Sequence, residues 1–323
     1  MNLFGVRRAR VPAASQSVDL DYVLSKLLWM RDRHIWPNGL RYLWTDAFGV
    51  VLFVSLFEAT GEDRFLEQAH WLVTEVDRVL GRPRGIRIGE EPDRDGQYFH
   101  YLAMWIYALA ILARHMPEMK SKGVALVRQI HGAFVLPRRG VIWKMKEDLS
   151  GPYPGYGLGA LDAFDGYISY SKLDEKNLAG EISDMRALIG QQAPSLWITQ
   201  DLGIGMMLWM THFHPDEDWA VLQRQRCLQV LDTMWMPAGY FCREPYLRTV
   251  KFAFTNYGAS IGLQAVGAMP DRIEALHQFF DRHRSGDEYD EAAITHVMAC
   301  SAHFPGLLLE HGWQDKSAPS GRL

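Results

Sequence analysis

The chain has 323 residues, 48% of them hydrophobic and 22% charged, the balance of an ordinary globular protein with enough apolar surface for a sizeable core. Its 34 basic against 38 acidic side chains leave a net charge of −4, which offers no basic footprint for nucleic acid or for an anionic membrane. Three cysteines, Cys227, Cys242 and Cys300, form no pairing pattern and read as reduced thiols, so a cytoplasmic location is expected.

Residues 1–17 carry Arg7, Arg8 and Arg10 but no apolar stretch of the kind that opens a secretory signal, and they read as a flexible N-terminus. From there two kinds of segment alternate. Asp19–Arg31 is amphipathic; Ala47–Phe57 contains no Asp, Glu, Lys or Arg. In Asp63–Leu80, Phe65, Ala69, Leu72, Val76 and Val79 step by four, three, four and three, while Arg64, Glu67, Glu75 and Arg78 take the other face. That is a helix with one side buried and one in water. Tyr98–Ala113 is again free of charge, Val124–Phe134 amphipathic, Asp165–Leu173 short, and Leu178–Ile189 amphipathic. Leu202–Phe213 (uncharged), Asp218–Trp235 (amphipathic), Phe252–Met269 (uncharged), Asp271–Phe280 (amphipathic) and Ala292–Leu309 (uncharged) complete the series, and 314–323 reads as a flexible tail.

A helix apolar all round must be surrounded by protein or lipid. A membrane span needs roughly 20 predominantly apolar residues. Most of these segments are shorter, and the longer ones carry Asn256, Gln264, His296 or His303, so no membrane partner is expected. Gly258, Gly262 and Gly267 suit close approach between helices. The turns after uncharged segments are short and share a helix-start signal: Pro117-Glu118, Pro215-Asp216 and Pro270-Asp271, with Thr60-Gly61-Glu62-Asp63 in the first. The turns before them are long, notably 81–95 and 136–161, and Gly140–Met145 suits a small β-hairpin in the second. The pattern predicts one all-α domain over 18–313, an (α/α)6 toroid of six helical hairpins with inner and outer rings. Leu56–Leu72, with Glu58-Ala59-Thr60-Gly61-Glu62-Asp63, resembles the hairpin turn of the six-hairpin glycosidase-like superfamily. That resemblance is one of architecture; it implies a substrate site at the mouth where the inner helices begin, and it transfers no catalytic motif.

The inner helices begin with polar residues: Trp44-Thr45-Asp46, Asp95-Gly96-Gln97, Asp162 with Asp165-Gly166-Tyr167, Gln200-Asp201, Asn256-Tyr257 and Asp290-Glu291. Each acid is explained by helix capping on its own. Ring closure would gather them around one cavity, the default place for an active site. Glycoside hydrolysis needs one protonated and one ionised carboxyl group. Asp95 with Asp201 is the expected pair, with Asp46 and Asp165 next. His100 and His296, in helices otherwise free of formal charge, would suit proton abstraction in an epimerase or lyase if they face one cavity. Arg94, Lys144 and Lys146 could favour an anionic sugar, the two lysines sharing one face of the strand. Gln97, Gln200 and Asn256 could bind hydroxyls; Trp44, Trp143, Tyr167, Tyr240, Phe241 and Tyr257 could stack on rings.

His212-Phe213-His214-Pro215-Asp216 lacks further ligands at metal spacing, and there is no GxSxG, CxxC, HExxH or phosphate-loop motif, so neither a metal nor a cofactor is expected. The sequence therefore points first to a glycoside hydrolase on a small or anionic sugar. The alternatives are a sugar epimerase or lyase, an isoprenoid cyclase without the paired-Asp metal motif, and a binding protein that has lost its chemistry.

Overall fold

The computed structural model describes residues 16–235 and 253–310. Twelve helices run through them: α1 (Gln16–Asp32), α2 (Leu43–Thr60), α3 (Asp63–Leu80), α4 (Phe99–Leu112), α5 (Glu118–Phe134), α6 (Asp162–Asp174), α7 (Ala179–Gln192), α8 (Asp201–Thr211), α9 (Asp218–Met234), α10 (Ala253–Val266), α11 (Pro270–Phe280) and α12 (Ala293–His303). The even-numbered helices form a closed inner ring, α2 against α4, α4 against α6, and so on round to α12 against α2. Each is backed by the helix that follows it, and α1 closes the outer layer by packing on α12. This is the (α/α)6 toroid. Among the described residues α2 alone is long and apolar enough to cross a membrane, and it is instead an inner wall whose residues 43–56 are all buried.

Charge is scarce along the bodies of the inner helices because both sides of them face protein; α6 (Asp162, Asp165, Lys172, Asp174) is the exception. Amphipathic α3, by contrast, buries Phe65, Ala69, Leu72, Val73, Val76 and Leu80 and leaves the rest to solvent. Where α8 and α10 cross, a Cβ on Gly262 would sit 2.1 Å from the Gly205 carbonyl oxygen, and one on Gly205 would sit 2.3 Å from that of Gly258. Gly267 has a different task, ending α10 at φ 63° with open space around it. The uncharged run from Ala292 is helical only to His303. Pro305 then turns the chain into a short 3-10 segment, Gly306–Leu308.

Short strands occupy the long connections. β1 (Gln97–Tyr98) pairs antiparallel with β4 (Lys144–Met145); β2 (Val135–Leu136), β3 (Gly140–Ile142) and β5 (Leu158–Gly159) form a second sheet. The two sheets pin the 135–161 excursion over the start of α4. Three groups of expectations fall outside the described residues: the flexible termini up to residue 15 and from 314, the aromatic residues Tyr240 and Phe241, and Cys242. Cys227 and Cys300 are buried free thiols.

Candidate active site at the barrel mouth

One end of the barrel is plugged, which marks one side of α2, α4, α6 and α8 as facing the plug. The Ser55 Oγ accepts from the Leu307 N–H at 2.9 Å, and the Tyr107 hydroxyl donates to the Leu307 carbonyl at 2.7 Å. The Trp209 Nε1–H donates to the Leu308 carbonyl at 2.7 Å, and Lys172 pairs with Glu310. Gly306 is required there: its φ is 49°, and a Cβ would lie 2.4 Å from the Ser55 side chain. At 3.6 residues per turn, positions seven or eleven residues earlier lie on the same face, two or three turns nearer the other end. Counting back from Ser55, Tyr107, Lys172 and Trp209 gives Trp44, His100, Asp165 and Leu202. By helical periodicity these four share the stripe of the plug contacts at the other end of the ring.

They sit in an aromatic enclosure. His100 lies 5.9 Å from the Trp44 ring, 5.3 Å from Tyr98, 4.6 Å from Tyr101 and 6.2 Å from Trp143, centroid to centroid. Trp143 is 40% exposed, an unusual state for so large a ring, because the β3–β4 junction holds it at the rim. Its backbone is fixed from both sides, the N–H donating to Gly157 and the carbonyl accepting from Phe99. The Trp143 Nε1–H donates to His100 Nδ1 at 3.2 Å. Indole can only donate, so Nδ1 is unprotonated and the imidazole proton resides on Nε2. Burial pushes the pKa of His100 down to about 3, keeping the ring neutral.

The carboxyl side of the mouth behaves in the opposite sense. Burial raises Asp165 to about 8, and its carboxyl has no hydrogen bond or ion pair among the described residues. Asp162, one turn earlier on α6, lies between it and the histidine, with Oδ1 at 3.9 Å from His100 Nδ1. Burial, then the charge of Asp165, lifts Asp162 well above the carboxylate range. The arrangement therefore places a neutral N–H donor near Asp162, which in turn feels the charge of Asp165, the carboxyl raised to about 8. Such divergent perturbation of adjacent groups is the mark of acid–base chemistry.

The other expected residues stand elsewhere. Asp46 is fully buried; it accepts from Trp36 Nε1 at 3.0 Å and pairs with Arg41 at 3.2 Å, anchoring the 36–41 loop, and burial raises it to about 6. Asp95 is turned sideways into a cage, taking the Tyr153 hydroxyl at 2.6 Å and Lys144 Nζ at 3.3 Å; these contacts hold it below the usual carboxylate range. Asp201 is 2% exposed and accepts from the Thr255 hydroxyl at 2.6 Å and Asn256 Nδ2 at 3.2 Å. Asp95 and Asp201 are thus engaged by different neighbours, Asp95 by Tyr153 and Lys144 and Asp201 by Thr255 and Asn256.

Gln97 is completely buried and spends its amide on the backbone of Ile86, Arg84 and Glu147. Lys144 is buried over the rings of Tyr153, Tyr156 and Tyr98, whereas Lys146 is exposed; β4 ends at Met145, so the two do not share a face. Tyr167 points outward and donates to Glu217 at 3.0 Å. Tyr257 donates to Asp281 at 2.7 Å behind α10. His296 faces α1, packed edge-on against Trp29, so it shares no cavity with His100. Gln200 is an exposed cap of α8, accepting from the Gly203 N–H at 2.6 Å. Arg94 stays near the mouth, 4.1 Å above the Tyr42 ring, with Glu91 at 2.6 Å. Asp290 accepts from the Ser285 and Gly286 backbone, and His212 Nε2 accepts from the Glu310 N–H.

Sequence reasoning assigned no role to Asp162, Tyr98, Tyr101 or Tyr42. The signal for Asp162 was present, since it precedes Asp165 by one helical turn. Tyr42 and Tyr101 share a hydrogen bond between their hydroxyls, a contact between segments that no local pattern reveals.

Fold and mouth together define a class: the chain has the fold of the six-hairpin glycosidase-like superfamily. It is similar to a D-mannose isomerase structure (TM-score 0.63, 12% identity, covering 92% of this chain and 100% of that one). It is also similar to cellobiose 2-epimerase from Spirochaeta thermophila (TM-score 0.57, 16% identity, 91% and 99% covered). A third likeness is to the GH76 α-mannanase BT2949 of Bacteroides thetaiotaomicron (TM-score 0.62, 10% identity, 91% and 97% covered). No family model matches the sequence, and no curated protein matches it significantly.

Proposed function

We propose that the protein is a carbohydrate-active enzyme that moves a proton on one face of a sugar, as an isomerase or epimerase. The similarity of its fold to sugar isomerases, epimerases and mannanases supports carbohydrate as the substrate class. The observation that supports proton transfer is a neutral His100, near Asp162, at the same end of the ring as an Asp165 raised to about 8. A hydrolase of either stereochemical type brackets the scissile bond between two carboxyl groups about 5–9.5 Å apart. Here the perturbed carboxyls lie together on α6, and the acid that starts the next inner helix, Asp201, is buried and bonded to Thr255 and Asn256.

In this mechanism an open-chain aldose enters the mouth and its ring-derived carbons lie against Trp143 and Trp44. Asp165, ionised, removes the proton from the carbon next to the carbonyl. Its raised pKa makes it a stronger base than an ordinary carboxylate. His100 donates from Nε2 to the carbonyl oxygen, stabilising the enediol that forms. Asp165 then returns the proton to the neighbouring carbon while the O2 hydroxyl gives its proton back to His100 Nε2, yielding a ketose; if the enediol first rotates about its C2–C3 bond, Asp165 reprotonates C2 on the opposite face, O1–H reprotonates His100, and an epimer forms.

The test is incubation with mannose, cellobiose and related aldoses in deuterated water. Deuterium should enter at C1 of a ketose product or at C2 of an epimer, kcat/KM should rise with pH to a plateau above about 8, and Asp165→Asn and His100→Ala should abolish exchange. Hydrolysis of a mannan oligosaccharide with a rate that falls above that pH would make Asp165 a general acid and overturn the isomerase reading.

A further inference from the structure

Away from the mouth, the outer wall has a cleft of about 910 Å³ between α1 and the loop before α12, lined by Lys26, Trp29, Arg33, Arg284 and His296 among others. It narrows to a pocket of about 30 Å³ bounded by Lys26, Arg284, Thr295 and His296. A cavity needs roughly 10–15 Å³ of such space per water molecule. The inner pocket is therefore too small for a sugar ring and suited to one compact polar group.

The charges around it are unevenly matched. Glu291 is held by Arg33 at 2.9 Å. Asp290 also lines the pocket but is engaged, accepting from the Ser285 and Gly286 N–H groups at 2.8 and 2.7 Å and from the Ser285 hydroxyl at 3.0 Å. Asp281 is taken by Tyr22, Tyr257 and His303. Asp21 is exposed at the lip. Among the described residues, no carboxylate comes within ion-pair distance of Lys26 or Arg284. Lys26 lies along the rings of Tyr22 and Trp29, at 5.2 and 5.8 Å. Burial lowers its pKa, and the charge of Arg284 adds to that. Arg284 spends only Nη1, on the carbonyls of Asp281 and His283.

A second observation points into the same pocket. Thr295, 9% exposed, has a buried hydroxyl with no partner, although it lines the cavity in the first turn of α12. The residue capping that helix is Ala292, which offers no side-chain oxygen. An ammonium, a guanidinium, a hydroxyl and an uncapped helix start thus converge on a space the size of an oxyanion.

We propose that this pocket is a binding site for a small tetrahedral oxyanion, a phosphate or sulfate group, held by Lys26, Arg284 and Thr295. A bound anion neutralises two like charges that otherwise repel, and it satisfies the threonine hydroxyl. The site is on the outside of the ring, behind α12, and is independent of the reading of the mouth.

The experiment is calorimetric titration of the full chain with inorganic phosphate at constant ionic strength, beside Lys26→Gln, Arg284→Gln and Thr295→Val. Saturable binding is expected, with Kd raised at least ~10-fold in the lysine and arginine variants and measurably in the valine one. Tighter binding of a small phosphate monoester than of phosphate would identify the ligand as an ester; equal binding would identify the free anion. Arg284 is exposed on a loop, so its variant keeps the fold even if loss of the Lys26 stem does not. No saturable binding by the parent protein, or unchanged Kd in Arg284→Gln and Thr295→Val, overturns the proposal. Loss of sugar activity in mouth variants leaves this outcome untouched.

Discussion

Replacing Asp165 by Asn should remove the proposed activity and stabilise the protein at the same time. In the unfolded chain this carboxyl titrates near its ordinary value of 3.8; in the folded protein burial lifts it to about 8. Between those values the folded state holds a proton that the unfolded state has released, so stability falls as pH rises. The contribution is full below pH 3.8, declines through neutrality, and is completely lost above about 8. Every tenfold difference in proton affinity between the two states is worth about 1.36 kcal/mol. At pH 7 the burden is thus about 4 kcal/mol at most, and about 2 kcal/mol once partial solvent access at the mouth is allowed for. Asparagine has nearly the same shape and carries no titration. In a chain of this size about 1 kcal/mol moves the melting temperature by roughly 2–4 °C, so a gain of several degrees is expected at pH 7. Calorimetric melts of both proteins from pH 4 to pH 9 are the assay. The gain should be near zero at pH 4 and largest at pH 8 and above. A difference independent of pH, or a destabilised variant at pH 8, would refute the argument that this carboxyl is held protonated.

Trp143→Phe keeps a ring at the rim but removes the indole donor to His100 Nδ1. The imidazole proton is then free to shift, and kcat should fall about 10- to 100-fold with KM little changed, as measured by initial rates. Arg41→Met strands the Asp46 carboxyl in the core and should cost about 3–5 kcal/mol in urea melts, whereas Asp46→Asn should cost less. Asp95→Asn should leave kcat/KM within about twofold of the parent while lowering stability by about 1–2 kcal/mol through the Lys144 cage. A large loss of activity in that variant would return Asp95 to the chemistry.

The ring of helices was legible because burial forbids charge. Five segments without Asp, Glu, Lys or Arg have only one place to go, and alternation with amphipathic partners makes the two-layer toroid the economical solution. Glycine spacing gave the α8–α10 crossing for a similar reason, with Gly267 the exception because a helix end makes the same demand for that residue. The candidate site was legible only in height. Position at a helix start tells how far a side chain lies from the mouth; it does not tell which way it points around the helix axis. Asp165 and Tyr167 are two residues apart and face opposite directions, one toward the axis and one toward Glu217. Asp46 is two residues beyond Trp44, and that step turns it from the mouth into the Arg41 pair.

What sets azimuth is contact with the plug at the far end, and those contacts join residues between 99 and 252 positions apart. Ser55 meets Leu307 and Tyr107 meets the same residue, neither of which a local pattern can foresee. Once the plug is known, helical periodicity does the rest, and it yields a short axial set in which only His100 and Asp165 can exchange a proton. The same logic separates the two histidines that sequence alone treats as equals. His296 lies seven residues before His303, which contacts Asp281 on the outer side of α12, so both face away from the barrel axis. His100 lies seven residues before Tyr107, which seals the barrel, so it faces in. The proposed chemistry therefore rests on which inner-helix residues share a stripe with the plug, and a carboxyl at a helix start enters the proposal only when it is placed on that stripe.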